Sequence, residues 1–282
     1  MQVKTFDAPN PDGNVDSGGT HKISYTDWGS EHKNFVICVH GLTRNGRDFD
    51  FVAERLAQNF RVICPDMAGR GKSAWLPNYE WYNNEVQVAD TLALAHHLGA
   101  KNFDWIGTSM GGLMGMIIAA LHPHLIKKMV INDIGAFISA DGMRRIKGYV
   151  KDEILFDSRE HAEKRYREIF APFHIETELQ WQHMFLHGLR ETKDGKFSFN
   201  HDPAMGKAFA GERDFDLWRL WEAFKVPTLL LRGEKSDILP RDVALRMAQK
   251  AGVEFVEFPR FGHVPPLMND EQIGVVERFL RG

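Results

Sequence analysis

A serine flanked two residues away on either side by glycine stands at Gly107-Thr108-Ser109-Met110-Gly111. The segment lies between an apolar run, Phe103 to Ile106, and a helical pattern that begins at Met110, so this G-x-S-x-G falls in the strand, tight turn and helix context that gives it meaning. Such a turn strains the serine and exposes its hydroxyl, and the chain passes so close to itself that only small residues fit beside it. Gly107 and Gly111 are those residues, and Gly112 and Gly115 would let the helix pack tightly on a sheet. The five-residue pattern alone recurs by chance in many chains; the flanking elements are what make Ser109 the candidate nucleophile.

A seryl hydroxyl is a weak nucleophile at neutral pH, so it needs a base, and the base needs a group that fixes its tautomer. Of thirteen histidines, most fall inside helical patterns or at helix ends. His263 differs, because it follows the strand-like Val253 to Phe258 in a Gly-His-Val-Pro-Pro loop, on the side where an α/β sheet presents its ligands. The acid is expected between serine and histidine in the chain, beyond another strand. Asp237, in the polar turn after Thr228 to Leu231, is the preferred acid; Asp133, directly after Met129-Val130-Ile131-Asn132, is its rival, with a turn role beside Gly135 as the plainer reading.

A tetrahedral intermediate also needs donors preset for its negative charge. The backbone N–H of Met110, at the start of its helix, is one candidate. The other is the N–H of Leu42, in the loop His40-Gly41-Leu42 that follows the run Phe35 to Val39; His40 itself reads as structural.

Other patterns fall short. Gly71-Lys72-Ser73 matches the tail of a phosphate-binding loop, but Asp66 occupies the place of the leading glycine and no helix opens at Lys72. His183 and His187 have the i, i+4 spacing of metal ligands, yet no third ligand is evident in the sequence. Neither a cofactor nor a metal is called for. Arg144, Arg145 and Lys147 read as a solvated helix face, or as a contact for a carboxylate.

The elements that must hold these residues follow from the hydrophobic pattern. Short β-branched runs at Phe35 to Val39, Phe60 to Cys64, Phe103 to Ile106, Lys128 to Ile131, Thr228 to Leu231 and Glu254 to Phe258 alternate with helical segments near 81–98, 110–121, 241–250 and 270–280. That alternation predicts an α/β fold with a parallel sheet. It breaks between about Ala136 and Phe224, where Tyr166, Ile169 and Phe170, then Trp181, Met184 and Phe185, recur at helical spacing, and one hairpin-like stretch turns at Asp194-Gly195. The expected organisation is a core of residues 1–135 and 225–282 with a helical cap, residues 136–224, laid over the strand ends. Phe137, Trp181, Met184 and Phe185 are the cap's candidate pocket residues.

With 282 residues, 43% hydrophobic, and a formal charge of −3, the chain can bury a sizeable core and carries no basic field for nucleic acid or polybasic tail for a membrane. A small-molecule ester is the expected partner, with a monomer or homodimer both open. The opening residues lack the pattern of a secretion signal and no apolar run reaches a membrane span, so a cytoplasmic location is expected. Cys38 and Cys64 read as small buried thiols.

Taken in order, His40-Gly41-Leu42, the D-x-x-G-x-G-x-S of Asp66 to Ser73, Gly107 to Gly111 and Gly262-His263 resemble the α/β-hydrolase family over nearly the whole chain apart from the cap. The resemblance implies an eight-stranded, mostly parallel sheet with flanking helices, a triad at the strand ends, a cap over the pocket, and a scaffold turn at Asp66 to Ser73. The family's dehalogenases and epoxide hydrolases carry aspartate where this chain has Ser109, its prolyl aminopeptidases usually carry tryptophan where Met110 stands, and its H-G-G-G lipases are not matched by His40-Gly41-Leu42-Thr43. Ser109-Met110-Gly111-Gly112 is similar to the motif of capped carboxylesterases, enol-lactonases, cofactor-free perhydrolases and C–C bond hydrolases. A carboxylesterase is the expected activity, a C–C bond hydrolase or lactonase the alternative, and a ligand receptor that keeps the triad the reading from a different class. An ordinary ester needs no fixed positive group, whereas a C–C hydrolase must hold an anionic dienone; Arg44, Arg47, Arg144 and Arg145 are the available suppliers.

Overall fold

A computed structural model describes residues 1–13, 19–150, 152–208 and 213–282. An antiparallel pair, β1 (Gln2–Pro9) and β2 (Thr20–Trp28), opens the chain, followed by β3 (Phe35–Val39), α1 (Asp50–Leu56), β4 (Arg61–Pro65), α2 (Asn84–His97), β5 (Phe103–Thr108), α3 (Met110–Leu121) and β6 (Ile126–Asn132). A segment of short elements comes next: β7 (Phe137–Ile138), α4 (Ala140–Val150), α5 (Arg159–Ile169), α6 (Glu178–Gly188), β8 (Leu189–Glu191), β9 (Phe197–Phe199), α7 (Met205–Ala208), β10 (Phe215–Asp216) and α8 (Trp218–Glu222). The chain then returns to β11 (Thr228–Gly233), α9 (Arg241–Ala248), β12 (Val253–Phe258) and α10 (Asp270–Arg281).

Eight strands form one sheet in the order β1-β2-β4-β3-β5-β6-β11-β12. β2 runs antiparallel to both β1 and β4, and every other neighbouring pair is parallel. All residues of β3 and β11 are buried, as a strand covered on both faces requires. Alternate side chains enter opposite layers: Ile37 and Val39 join one core cluster, Val36 and Cys38 the other. Truncating a fully buried residue there, such as Leu230 to alanine, should cost about 2–5 kcal/mol. Cys38 and Cys64 are buried free thiols, and burial pushes the Cys38 thiol well above its ordinary pKa.

The β-branched runs and late helices match the sequence reading closely. The helix expected from Trp81 begins instead at Asn84, because Tyr79–Trp81 form a 3-10 turn and the Asn83 side chain accepts the Val86 N–H at 3.0 Å to cap α2. The turn at Asp194-Gly195 joins the antiparallel pair β8 and β9. Among the described residues no helix is long and apolar enough to cross a membrane.

The connections from β3, β5, β6, β11 and β12 all leave the sheet on one side. The loop His40-Gly41-Leu42 follows β3, Ser109 follows β5, Asp133 follows β6, Asp237 lies beyond β11 and His263 beyond β12.

Candidate active site

Ser109 sits between β5 and α3 at φ 51° and ψ −113°, a left-handed backbone that costs an L-residue about 1–3 kcal/mol. Its surroundings fix it there. Its N–H donates to the Asn132 carbonyl at 2.9 Å, and its carbonyl accepts from Gly112 and Leu113 at 2.9 and 3.1 Å. A Cβ on Gly107 would collide with the Gly111 carbonyl, and one on Gly111 with the Val39 carbonyl, so both glycines of the motif are steric requirements.

His263 Nε2 lies 3.0 Å from Ser109 Oγ, and His263 Nδ1 lies 2.8 Å from Asp133 Oδ2. A carboxylate can only accept, so Nδ1 carries the proton and Nε2 is left to accept from the seryl hydroxyl. Asp133 is completely buried, and its carboxylate also accepts the Gly233 N–H at 2.9 Å and the Ser236 hydroxyl at 2.6 Å. Three donors therefore hold one carboxylate in place.

The acid beside His263 is thus Asp133 and not Asp237, which corrects the sequence expectation. Asp237 is about half exposed and pairs with Arg145, whose terminal nitrogen donates to Asp237 Oδ1 at 3.1 Å. The reason lies in strand register. Asn132 on β6 pairs with Leu231 on β11, and the Asp133 N–H donates to the Leu231 carbonyl, so Asp133 stands at the strand end itself, turned inward by its φ of 59°. Asp237 comes six residues after Leu231, and the intervening turn carries it past the histidine. Ser236, which the sequence reading passed over, stops at the site and bonds Asp133.

The loop after β3 comes up against Ser109: a Cβ on Gly41 would lie 3.7 Å from Ser109 Cβ. His40 anchors that loop, its Nδ1 donating to the Gly41 carbonyl at 2.7 Å and its Nε2 accepting the Met67 N–H at 3.0 Å. Burial, with Arg70 nearby, pushes His40 down to about 3, so it stays neutral. Met110 is the first residue of α3, where a helix N–H has no intrahelical acceptor. The fully buried Arg70 ties the two regions together, donating through Nε to the Leu42 carbonyl at 2.8 Å and approaching Met110 Sδ at 3.6 Å.

Two cavities meet at Ser109. The larger, about 370 Å³, extends past Leu42 and Met110 and is walled by Leu113 and Ile117 of α3 and by Ile138, Met143, Phe215 and Leu220 of the segment between β6 and β11. The smaller, about 40 Å³, is shared by Ser109 and His263 with Arg44, Asp48, Phe170 and Arg145. The expected pocket residues Phe137, Trp181, Met184 and Phe185 line neither cavity. Trp181, Met184 and Phe185 pack with Tyr166, Phe170 and Phe199 in a separate cluster, and Phe137 packs against the main core.

Residues 34–270 match the family described as alpha/beta hydrolase fold. The chain is 35% identical to the 3-hydroxybutyrate-oligomer hydrolase of Cupriavidus necator, covering 95% of this chain and 96% of that protein. The chain belongs to the α/β-hydrolase fold family. It is also 26% identical to the N-formylmaleamate deformylase of Pseudomonas putida, with 90% of each chain covered. A crystal structure of an alpha/beta hydrolase from Novosphingobium aromaticivorans superimposes with a TM-score of 0.87 at 33% identity, covering 100% of this chain and 99% of that one.

Within this α/β hydrolase, Asp66 to Ser73 forms a self-bonded turn. The Asp66 carboxylate accepts the N–H groups of Gly46 and Lys72, both at 2.8 Å, and the Ser73 hydroxyl donates to the Asp66 carbonyl at 2.5 Å. Those bonds occupy the Lys72 N–H and the Ser73 hydroxyl, two of the groups a phosphate would need. His183 and His187 do acquire a third neighbour that the sequence hid, Asp50, and ligand atoms of the three lie within 4.8 Å of one another. However, the Arg47 guanidinium already binds Asp50, with Nε 2.9 and 2.8 Å from its oxygens, and His183 Nε2 lies 2.8 Å from the Arg47 carbonyl. A cation there would have to displace an arginine. Of the four arginines considered for an anionic substrate, Arg47 is thus tied to Asp50 and Arg144 pairs with Asp141 at the surface, while Arg44 and Arg145 flank the smaller cavity.

Proposed function

We propose that this hydrolase cleaves carboxylic esters through an acyl-enzyme, with Ser109 as nucleophile, His263 as general base and then acid, and Asp133 as the carboxylate that holds the imidazole. The observation that carries the reading is the unbroken chain of contacts from Ser109 Oγ to His263 Nε2 and from His263 Nδ1 to Asp133. The seryl oxygen attacks the ester carbonyl carbon while Nε2 takes its proton, and the same proton then passes to the departing alkoxide. Water, activated by His263, hydrolyses the acyl-enzyme in turn. The N–H groups of Leu42 and Met110 are assigned to the oxyanion, since both residues border Ser109 and a preset donor is worth about 10²–10³ in rate. Residues 136–224 act as a cap, because they supply much of the apolar wall of the larger cavity. The full-length similarity to a hydrolase of 3-hydroxybutyrate oligomers, which are esters, favours ester cleavage.

A second reading, C–C bond hydrolysis, draws on Arg44 and Arg145 beside Ser109 and His263, since that chemistry needs a fixed positive group. One experiment separates the two. p-Nitrophenyl esters of increasing chain length are assayed beside a vinylogous diketone, with Ser109→Ala as control. The esterase reading expects esters to be cleaved faster, wild-type Ser109 to be labelled by a fluorophosphonate, and Ser109→Ala to keep only the residual rate due to binding and the oxyanion donors. Labelling elsewhere, a fully active alanine variant, or faster turnover of the diketone overturns it.

A further inference from the structure

Resting on the esterase reading, we propose that the alcohol half of the substrate carries a carboxylate and that Arg145 receives it. The direction of the substrate follows from the proton. His263 must protonate the departing alkoxide, so the alcohol half lies on the histidine's side of Ser109. The larger cavity includes Ser109 and Met110 but not His263, which makes it the acyl side; the small slot includes both Ser109 and His263, which makes it the leaving side.

Charge in that slot is uneven. Arg44 and Asp48 both line it and cancel: Arg44 Nε donates to Asp48 at 2.8 Å, and the guanidinium lies 4.9 Å from the centre of the Phe170 ring, with only 5% of the arginine side chain exposed. Arg145 also lines the slot, but its partner Asp237 does not. Arg145 is thus a cation of the slot whose counter-ion stands outside the slot's lining, where a substrate can compete with it. The Arg145 and Asp237 side chains are 35% and 48% exposed, and an ion pair so wetted is worth little, so a substrate carboxylate can take the place of Asp237 at small cost. The planar guanidinium suits a carboxylate with two parallel hydrogen bonds. The substrate class is an ester of a hydroxy acid cleaved at the bond next to its free carboxylate end: water is consumed, the acyl carbon to oxygen bond breaks, and a short hydroxy acid leaves with the proton from His263.

The test compares the linear dimer of 3-hydroxybutyrate, whose alcohol half bears a free carboxylate, with the methyl ester of that dimer. Wild type is expected to prefer the free acid by about tenfold in kcat/KM, the scale of one charge-assisted contact. Arg145→Met should bring the ratio near one, Arg145→Lys should restore part of it, and Asp237→Asn should raise it by removing the competing carboxylate. A ratio near one in wild type, or one that survives Arg145→Met, while cleavage still depends on Ser109, overturns this proposal alone. Failure to cleave either compound, or cleavage that persists in Ser109→Ala, overturns the esterase reading and this proposal with it.

Discussion

Replacing Asp133 by asparagine changes one oxygen to an NH₂ group and asks which of three donors can still be satisfied. The amide oxygen can keep the Gly233 N–H, and the Ser236 hydroxyl can rotate to accept from the new NH₂. The bond to His263 cannot survive in its native form. An NH₂ facing Nδ1 needs an acceptor there, which drives the imidazole proton to Nε2, and Nε2 can then no longer take the proton of Ser109. A triad locked in the wrong tautomer loses about 10⁴ in kcat, or about 5.4 kcal/mol at 1.36 kcal/mol per decade. Folding should suffer less, because the two buried bonds to Ser236 and His263 are reversed rather than left unpaired, at about 1–3 kcal/mol. Asp237→Asn removes only a wetted pair worth about 0–1 kcal/mol, and should change turnover of a neutral p-nitrophenyl ester by no more than a few fold. Initial rates on that ester, with urea midpoints for each variant, test both. The reverse ranking, a large loss in Asp237→Asn and a small one in Asp133→Asn, refutes the assignment of the acid.

Acid should weaken the fold. Burial holds His40 and His201 down at about 3, so below the ordinary histidine pKa the unfolded chain binds protons that the folded chain refuses, and their contribution, fully present above about pH 6.5, is lost as pH falls towards 3. Each should cost roughly 2 kcal/mol by pH 5. Asp66 opposes them, since burial raises its carboxyl to about 6 and the folded chain gains its proton first, returning roughly 1.4 kcal/mol at pH 5. The urea midpoint should therefore drop between pH 7 and pH 5, less steeply in His201→Gln; a midpoint that holds or rises contradicts this. In the larger cavity, Ile117→Trp should overfill the acyl side and lower the ratio of hexanoate to acetate turnover by roughly tenfold, whereas an unchanged ratio would put the acyl chain elsewhere.

Ser109 is legible in the sequence because its turn imposes steric demands that only glycine meets, and the two colliding Cβ positions at Gly107 and Gly111 are those demands seen in space. The hydrophobic runs are legible because strands covered on both faces leave no polar alternation to blur them. The opening hairpin is not picked out as runs, since β1 is an edge strand with mostly exposed side chains and β2 mixes polar residues among buried ones. The pocket walls of the segment between β6 and β11 are hidden for the opposite reason: its most conspicuous aromatics, Trp181 and Phe185, satisfy one another, Trp181 stacking on Phe185 and Phe185 meeting Tyr166 edge-on, while Met143, Phe215 and Leu220 face the larger cavity.

The acid is the hardest residue to read, because β6 and β11 are neighbours in the sheet and both end in a turn with an aspartate. Chain order and strand end cannot choose between them; reach does. Asp133 is one residue past the last paired position of β6 and can point straight at His263, whereas β11 runs on to Gly233 and Asp237 has Glu234, Lys235 and Ser236 to cross after it. Arg232, near the end of β11, spends its guanidinium on the carbonyls of Glu234 and Leu239 and on the Glu257 carboxylate, and Ser236 gives its hydroxyl to Asp133, so the turn beyond the strand supports Asp133 and then leads away from it. Carried outward, Asp237 meets Arg145, which lines the smaller cavity. An aspartate placed there cannot serve the imidazole, but it can hold an arginine in position until a substrate carboxylate replaces it.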